Sequence, residues 1–301
     1  MFTLDKVESQ KGRIAIVTGA NTGLGYETAL GLAQKEATII MACRSLQKAE
    51  TAKQNILAAV PQADIDIIQI DLSKLASVRA FAKAYLAKYQ QLDLLVNNAG
   101  VMMPPYTQTE DGFELQMGAN HLGHFLLTGL LLESLTRTPG SRVVSLSSLA
   151  HQNGKINFDN LNWEKDYSKT GAYGQSKLAC LMYGYELQRR LKLAGADTLS
   201  VIAHPGVSDT ELGRHFPKWL YTILSYTLVP LISQSAAKGA LPTLMAALDN
   251  NSKGGEYYGP TGFQGMKGKP GLATSTELSQ DPAIAKKLWE VSEDLTGITY
   301  L

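Results

Sequence analysis

With 301 residues, 45% of them hydrophobic and 18% charged, the chain is long enough to bury one large core and too apolar to stay disordered. Its 28 Lys and Arg balance 27 Asp and Glu, a formal charge of +1 with no block of either sign, which excludes the electrostatic footprint of a nucleic-acid binder. Two cysteines far apart in sequence, Cys43 and Cys180, argue against a disulfide framework or structural zinc, and MFTLDKVESQKG has no basic-then-apolar leader, so the setting read here is reducing and cytoplasmic.

After an N-terminal arm (1–12), RIAIVT (13–18) predicts a strand, and a helical pattern runs from Gly23 to about Lys35. The turn between them reads Thr18-Gly19-Ala20-Asn21-Thr22-Gly23-Leu24-Gly25. Gly19 permits the tight turn, Gly23 lets the backbone approach a pyrophosphate, and Gly25 lets helix and strand pack closely, with the helix N-terminus offering N–H donors to the anion. Such a turn can also bind nothing; its place at the first βα junction favours a nucleotide.

ATIIMAC (37–43) is the second strand, followed by a helix with Ser45 at its N-cap. An NAD site usually places an acid at the end of this strand for the ribose 2′-hydroxyl; here the position holds Arg44, a fork of donors suited to a 2′-phosphate, so NADP(H) is preferred to NAD(H). An ordinary solvated arginine is the plain alternative. IDIIQI (65–70) predicts the third strand and Ser73 the next N-cap, while Asp71-Leu72 is placed either to reach an adenine or simply to cap a turn. LDLLV (92–96) is the fourth strand; Met102 to Tyr106 beyond it suit an apolar pocket wall or loop packing equally well.

A long helix is predicted across 110–137, with Leu122 to Leu132 apolar on nearly every face and therefore buried. His121 and His124, three apart on it, lack a third ligand at suitable spacing, so metal is not expected. SRVVSL (141–146) is the fifth strand and ends at Ser147-Ser148, hydroxyls that can meet a substrate oxygen or merely form a turn; His151 follows as a substrate contact or a loop histidine. The helix across 172–194 carries Tyr173 and Lys177 on one face. An ammonium beside a phenol favours the phenolate, so the tyrosine can pass a proton to or from a carbonyl or hydroxyl oxygen. TLSVIAH (198–204) is the sixth strand, Pro205-Gly206 ends it, Gln234 to Leu248 reads as a helix, and Gly254 to Gly271 as glycine-rich loop. Strands alternating with helices predict one domain of the α/β, Rossmann-type, doubly wound parallel class. The region 205–235 is expected to form a substrate lid; its stretch 216–232 can alternatively contact a membrane surface or join the core, and is too short to span a bilayer.

The ordered set TGANTGLG, Asp71-Leu72, Asn97-Asn98-Ala99-Gly100, Asn120, Ser148, Tyr173xxxLys177 and Pro205-Gly206xxxThr210 resembles the short-chain dehydrogenases/reductases over essentially the whole chain. MACRS, NHLGHFLLT, SSLAH and HPGVSDTEL are similar to the retinol dehydrogenase branch, whose relatives include the protochlorophyllide reductases. The resemblance implies a catalytic tetrad: Tyr173 as general acid/base, Lys177 supporting it and binding the nicotinamide ribose, Ser148 polarising the substrate oxygen, and Asn120 holding a helix distortion and a relay water. It implies cofactor contacts from Asn98, Ala99, Gly100, Pro205, Gly206, Val207 and Thr210. Residues 151–170 are an insertion between Ser148 and Tyr173 relative to the simplest members. In this family the helix around Leu122 to Leu132 commonly packs against a partner subunit, so a homo-oligomer is open and a monomer is expected to bury the helix only in part. The membrane anchor common at the N-terminus of vertebrate retinol dehydrogenases is not seen, leaving at most peripheral membrane association. The implied activity is NADP(H)-dependent interconversion of a lipophilic aldehyde or ketone and its alcohol. A tetrapyrrole C=C reductase and a non-catalytic NADP(H) sensor are the rivals.

Overall fold

The computed structural model describes residues 2–207 and 233–301. Mostly β-branched and aliphatic runs form the sheet: β1 (Ile14–Thr18), β2 (Thr38–Cys43), β3 (Ile65–Gln69), β4 (Leu94–Asn97), β5 (Arg142–Leu146) and β6 (Leu199–Ala203), all largely buried except β3, which lies at an edge and is part-exposed. They align parallel with β7 (Tyr257–Gly262), and β8 (Lys267–Leu272) closes the edge antiparallel, in the order β3-β2-β1-β4-β5-β6-β7-β8. Val17 sits opposite Met41 on one side and Val96 on the other, so the strand order reverses at β1, where open α/β sheets bind ligands beyond the strands' carboxyl ends.

Alternate side chains of each strand feed two cores. Ala15 and Val17 pack under α1 (Gly23–Gln34), α2 (Leu46–Ala59) and α6 (Ala236–Leu248). Ile16 points the other way, under α3 (Leu75–Lys88), α4 (Gly123–Thr136) and α5 (Lys169–Leu193). A last helix, α7 (Pro282–Thr296), lies outside α4 and α5 and packs Trp289 into the second core.

The differences from the sequence expectations have physical reasons. The segment 254–271, read as loop, holds β7 and β8; Pro260 faces Pro270 across the pair, residues that hide a strand in a sequence but are tolerated at a sheet edge. The expected helix across 110–137 is a π-turn (Met117–Leu122) running into α4. Ser45 caps α2 by accepting from the Lys48 amide, whereas Ser73 does not cap α3: Lys74 holds that position, and the Ser73 hydroxyl donates to Asp71. Ser168, not Ala172, begins α5, its hydroxyl accepting from the Gly171 amide.

α7 went unseen although Asp281 accepts from the Ala283 and Ile284 amides, Pro282 follows it, and Gly297 ends the helix at φ 62°. It covers most of the apolar helix: Leu122, Phe125, Leu126, Leu127 and Leu131 are fully buried within this one chain, with Trp289 edge-on and Tyr300 tilted against Phe125, while Gly129 and Leu130 stay partly buried. Among the described residues no helix is long and apolar enough to cross a membrane. Most of the expected lid, with its apolar stretch 216–232, lies outside the described residues, as does Thr210.

Candidate active site

At the β1–α1 turn the chain keeps its donors free. Gly19 and Gly23 adopt φ of 68° and 54°, and a Cβ on Gly25 would stand 2.3 Å from the Gly19 carbonyl oxygen, so only glycine lets the helix start this close to the strand. Thr22, the N-cap, makes no side-chain capping bond, which leaves the amides of α1's first turn for an anion, with Asn21 and Leu24 part-exposed beside it. Arg44 is exposed, and its guanidinium makes no hydrogen bond or ion pair among the described residues; only its carbonyl is used, by Gln69. Asn98 donates to the Thr18 carbonyl and keeps a buried Oδ1 with no partner among the described residues. Asp71 is a turn-capping residue in part, since one carboxylate oxygen accepts from both the amide and the hydroxyl of Ser73; Leu72 beside it is buried, its carbonyl against Gly123. An uncapped helix start, a glycine cradle that a Cβ would fill, an orphan acceptor and an unpaired guanidinium together fit a dinucleotide.

Across the β1–β4 junction lie the other candidates. The Lys177 ammonium stands 5.9 Å from the Tyr173 ring centroid and donates to the Leu146 carbonyl at 3.1 Å, and it lies together with Asn120 beside Gly100. The adjacent serines separate by their bonding. Ser147 is buried and donates to the Lys177 carbonyl, while Ser148 is part-exposed and accepts from the Ala150 amide, which leaves its own proton free to donate. Asn120 sits in the π-turn: its Oδ1 accepts from the Val101 amide and its Nδ2 donates to the Val101 carbonyl and to Ser176, tying the Asn97–Gly100 segment to α5. Its carbonyl accepts from His124 and Cys180, so the water it was expected to hold would meet a largely committed residue. Pro205, Gly206 and Val207 are held at the end of β6 by Gln234 and by the Met266 carbonyl, which accepts from the Val207 amide at 2.7 Å.

Thr18 and three histidines named in the sequence take partners here that their spacing does not give. Thr18 accepts from the Asn98 and Ala99 amides at 2.9 Å each and has its own proton left for His124 Nε2, also at 2.9 Å. His124 Nδ1 must then donate to the Asn120 carbonyl, so one neutral imidazole links the end of β1 to the π-turn. Burial pushes His124 down to about 4, with the Lys177 charge adding to the effect, and holds it neutral. His121 and His124 thus serve hydrogen bonding, and among the described residues no group of three His, Cys, Asp or Glu side chains can hold a metal. His151 Nδ1 donates to the Ser148 carbonyl at 2.7 Å, placing it behind Ser148.

Two glycines set how closely the turn after Ser148 approaches α5, the helix that carries Tyr173. A Cβ on Gly154 would lie 2.4 Å from the Gly174 carbonyl oxygen, and one on Gly174 3.1 Å from the Ala150 oxygen, so the turn after Ser148 is seated directly on the α5 backbone. On the next turn of the insertion, Trp163 packs against Gly171, two residues before Tyr173. A small residue repeated in both partners was the only sequence signal, and nothing local says that Gly154 and Gly174 meet.

The chain matches the short chain dehydrogenase family over residues 13–220. It is 43% identical over 289 residues to human retinol dehydrogenase 11, covering 95% of this chain and 86% of that protein, and 43% identical over 293 residues to human retinol dehydrogenase 13, covering 95% and 85%. A crystal structure of an uncharacterised protein from Mycobacterium paratuberculosis is 39% identical and superimposes with a TM-score of 0.83 over 100% of this chain and 99% of that one.

Proposed function

The chain belongs to the short-chain dehydrogenases, oxidoreductases acting on CH–OH and C=O groups, and on that premise we propose that it is an NADP(H)-dependent enzyme of the retinol dehydrogenase type, interconverting a lipophilic aldehyde or ketone and its alcohol. The observation that supports the reading is the place of the Lys177 ammonium, 5.9 Å from the Tyr173 ring centroid and bonded to the Leu146 carbonyl, two residues before Ser148 with its unspent hydroxyl.

The residues that would hold the cofactor are the turn Gly19 to Gly25 for the pyrophosphate, Arg44 for a 2′-phosphate, Asp71 and Leu72 at the adenine, Asn98 to Gly100 beneath the ribose, and Pro205 to Val207 with Thr210 at the nicotinamide. When bound, the nicotinamide supplies or accepts a hydride at the substrate carbon. Ser148 donates its free proton in a hydrogen bond to the substrate oxygen, and its oxygen is oriented for this by the Ala150 amide. Tyr173 gives its phenolic proton to that oxygen in reduction and takes it back in oxidation. Lys177, fixed to the Leu146 carbonyl by one N–H, keeps two others for the ribose and for steadying the phenolate. Asn120 positions rather than reacts, because its amide is spent on Val101 and Ser176.

Loss of NADPH absorbance against a panel running from retinal and long-chain aldehydes to small polar carbonyls, with NADH in parallel, tests this. Turnover of the apolar carbonyls with NADPH is expected. Turnover confined to polar substrates overturns the substrate class, a preference for NADH overturns the cofactor assignment, and tight NADPH binding without turnover favours the sensor.

A further inference from the structure

A cavity of about 10 Å³ lies between the strands and the π-turn, lined by Asn97 on β4, Ser145 on β5 and His121, with Cys180 and Tyr183 from α5 across it. That is the room one water centre requires. The lining is buried: His121 and Ser145 are each 2% exposed and Asn97 4%.

Three polar atoms of the lining are buried and have no partner among the described residues: Asn97 Oδ1, Ser145 Oγ and His121 Nδ1. Their hydrogen-bonding characters follow from the bonds their neighbours make. Ser292 gives its proton to the Leu288 carbonyl at 2.7 Å, so it accepts from His121 at 2.8 Å, and Nε2 is the protonated nitrogen. His121 Nδ1 therefore carries a lone pair, because burial, with the neighbouring His124 adding to it, pushes the ring down to about 3 and keeps it neutral. Asn97 donates through Nδ2 to Thr128 at 3.0 Å, while Thr128 passes its own proton to the His124 carbonyl, so Asn97 Oδ1 is an acceptor as well. Ser145 has a proton to give.

Two acceptors and one hydroxyl donor are the complement of a single water, which donates twice and accepts the third bond. A cation would face an imidazole nitrogen with no carboxylate to balance it, and an anion would face lone pairs. We infer that this cavity is the binding site of one structural water that donates to His121 Nδ1 and Asn97 Oδ1 and accepts from Ser145, joining β4 and β5 to the π-turn that presents Asn120. Asn120 and His124 line the cavity as well, but the Asn120 carbonyl already accepts from His124 and Cys180 and its side-chain amide is spent on Val101 and Ser176; the three unpartnered atoms belong to other residues, and Lys177 is not in the lining, so this water stands apart from the relay water implied by the family resemblance.

A high-resolution crystal structure of the intact chain with NADPH is expected to show density within hydrogen-bonding distance of all three atoms; an empty cavity overturns the proposal. Two solution measurements bear on it independently. In ¹⁵N-histidine NMR the His121 Nδ1 resonance is expected in the range of a hydrogen-bonded acceptor, and a free lone-pair shift counts against the water. Ser145→Ala gives opposite signs in the two cases: it breaks a bond to the water and lowers the melting temperature by roughly 2–4 °C, whereas in a dry cavity it removes an unpaired hydroxyl and raises it.

Discussion

Around the first βα turn the outward polar groups are unpaired: the amides at the start of α1 have no capping side chain and Arg44 has no partner among the described residues. Around Asn120 nearly everything is paired, through Val101, Ser176, His124, Thr18 and Cys180, and the backbones of Gly154 and Gly174 touch. The first region is built from the eight-residue turn and Arg44 just past β2, the second from β1, the segment after β4, the π-turn and α4, the turn after Ser148, and α5. The contrast teaches that a binding turn holds its donors ready for a ligand, whereas a reaction centre needs its few reactive groups held by side chains that never meet the substrate. A disturbance at the turn should change affinity; one at the centre should change stability and turnover.

The largest expected effect strikes the second region through pH. Burial holds His121 at about 3, and His124 and His204 at about 4, with a neighbouring imidazole or the Lys177 charge adding in each case. The unfolded chain takes up these protons near the ordinary value of about 6.5 while the folded chain refuses them. The stability is therefore fully present above about 6.5 and is lost as pH falls from there through about 4, at about 1.4 kcal/mol per pH unit for each imidazole. Glu114, whose carboxyl burial pushes up, works weakly in the opposite sense. Urea unfolding followed from pH 7.5 to 5 is expected to show the midpoint falling; a flat profile would mean that these rings are not buried neutral in solution.

Tyr173→Phe sharpens the comparison next. It removes only the proton donor, so kcat is expected to fall by about 10²–10⁴ with the NADPH dissociation constant unchanged, read by fluorescence titration. Retained turnover would remove Tyr173 from the chemistry.

Gly154→Ala probes the packing between the two. Its Cβ would meet the Gly174 carbonyl oxygen at 2.4 Å, and moving the turn apart from α5 shifts Ser148 from Tyr173. A destabilisation of about 1–3 kcal/mol is expected, with kcat falling more than KM for NADPH changes. Equal stability and equal kcat would show that the turn can give way without disturbing the site.

How much of this was legible depends on how local each feature is. TGANTGLG, Ser45 and the six parallel strands could be read because each depends on neighbours in sequence. α7 is marked just as locally, by the cap Asp281, the first-turn Pro282 and the terminal Gly297. β7 and β8 were hidden by their own glycines and prolines; Gly259, where a Cβ would fall 1.8 Å from His204 Nε2, is there because an imidazole from β6's end occupies its side-chain space. Ser73 carries the residue type of a cap without its geometry, since Asp71 claims its hydroxyl. The π-turn, the tautomers of His121 and His124, and the contact of Gly154 with Gly174 join positions that only the folded chain brings together.

The smallest effect returns to the turn. Arg44→Asp changes an exposed side chain with no protein partner among the described residues, so the folded chain should lose almost nothing in stability. If its guanidinium meets a 2′-phosphate, the substitution removes a charge-assisted bond and sets a carboxylate against the phosphate, weakening NADPH by roughly tenfold to a hundredfold. The same carboxylate can accept from a 2′-hydroxyl, so NADH should bind as well as before or better. Dissociation constants for both cofactors, measured on one preparation together with its melting temperature, separate the cases. An altered ratio at constant stability is the behaviour of a binding turn; an unchanged ratio would make Arg44 an ordinary surface charge and leave the preference between the two cofactors to other residues of the site.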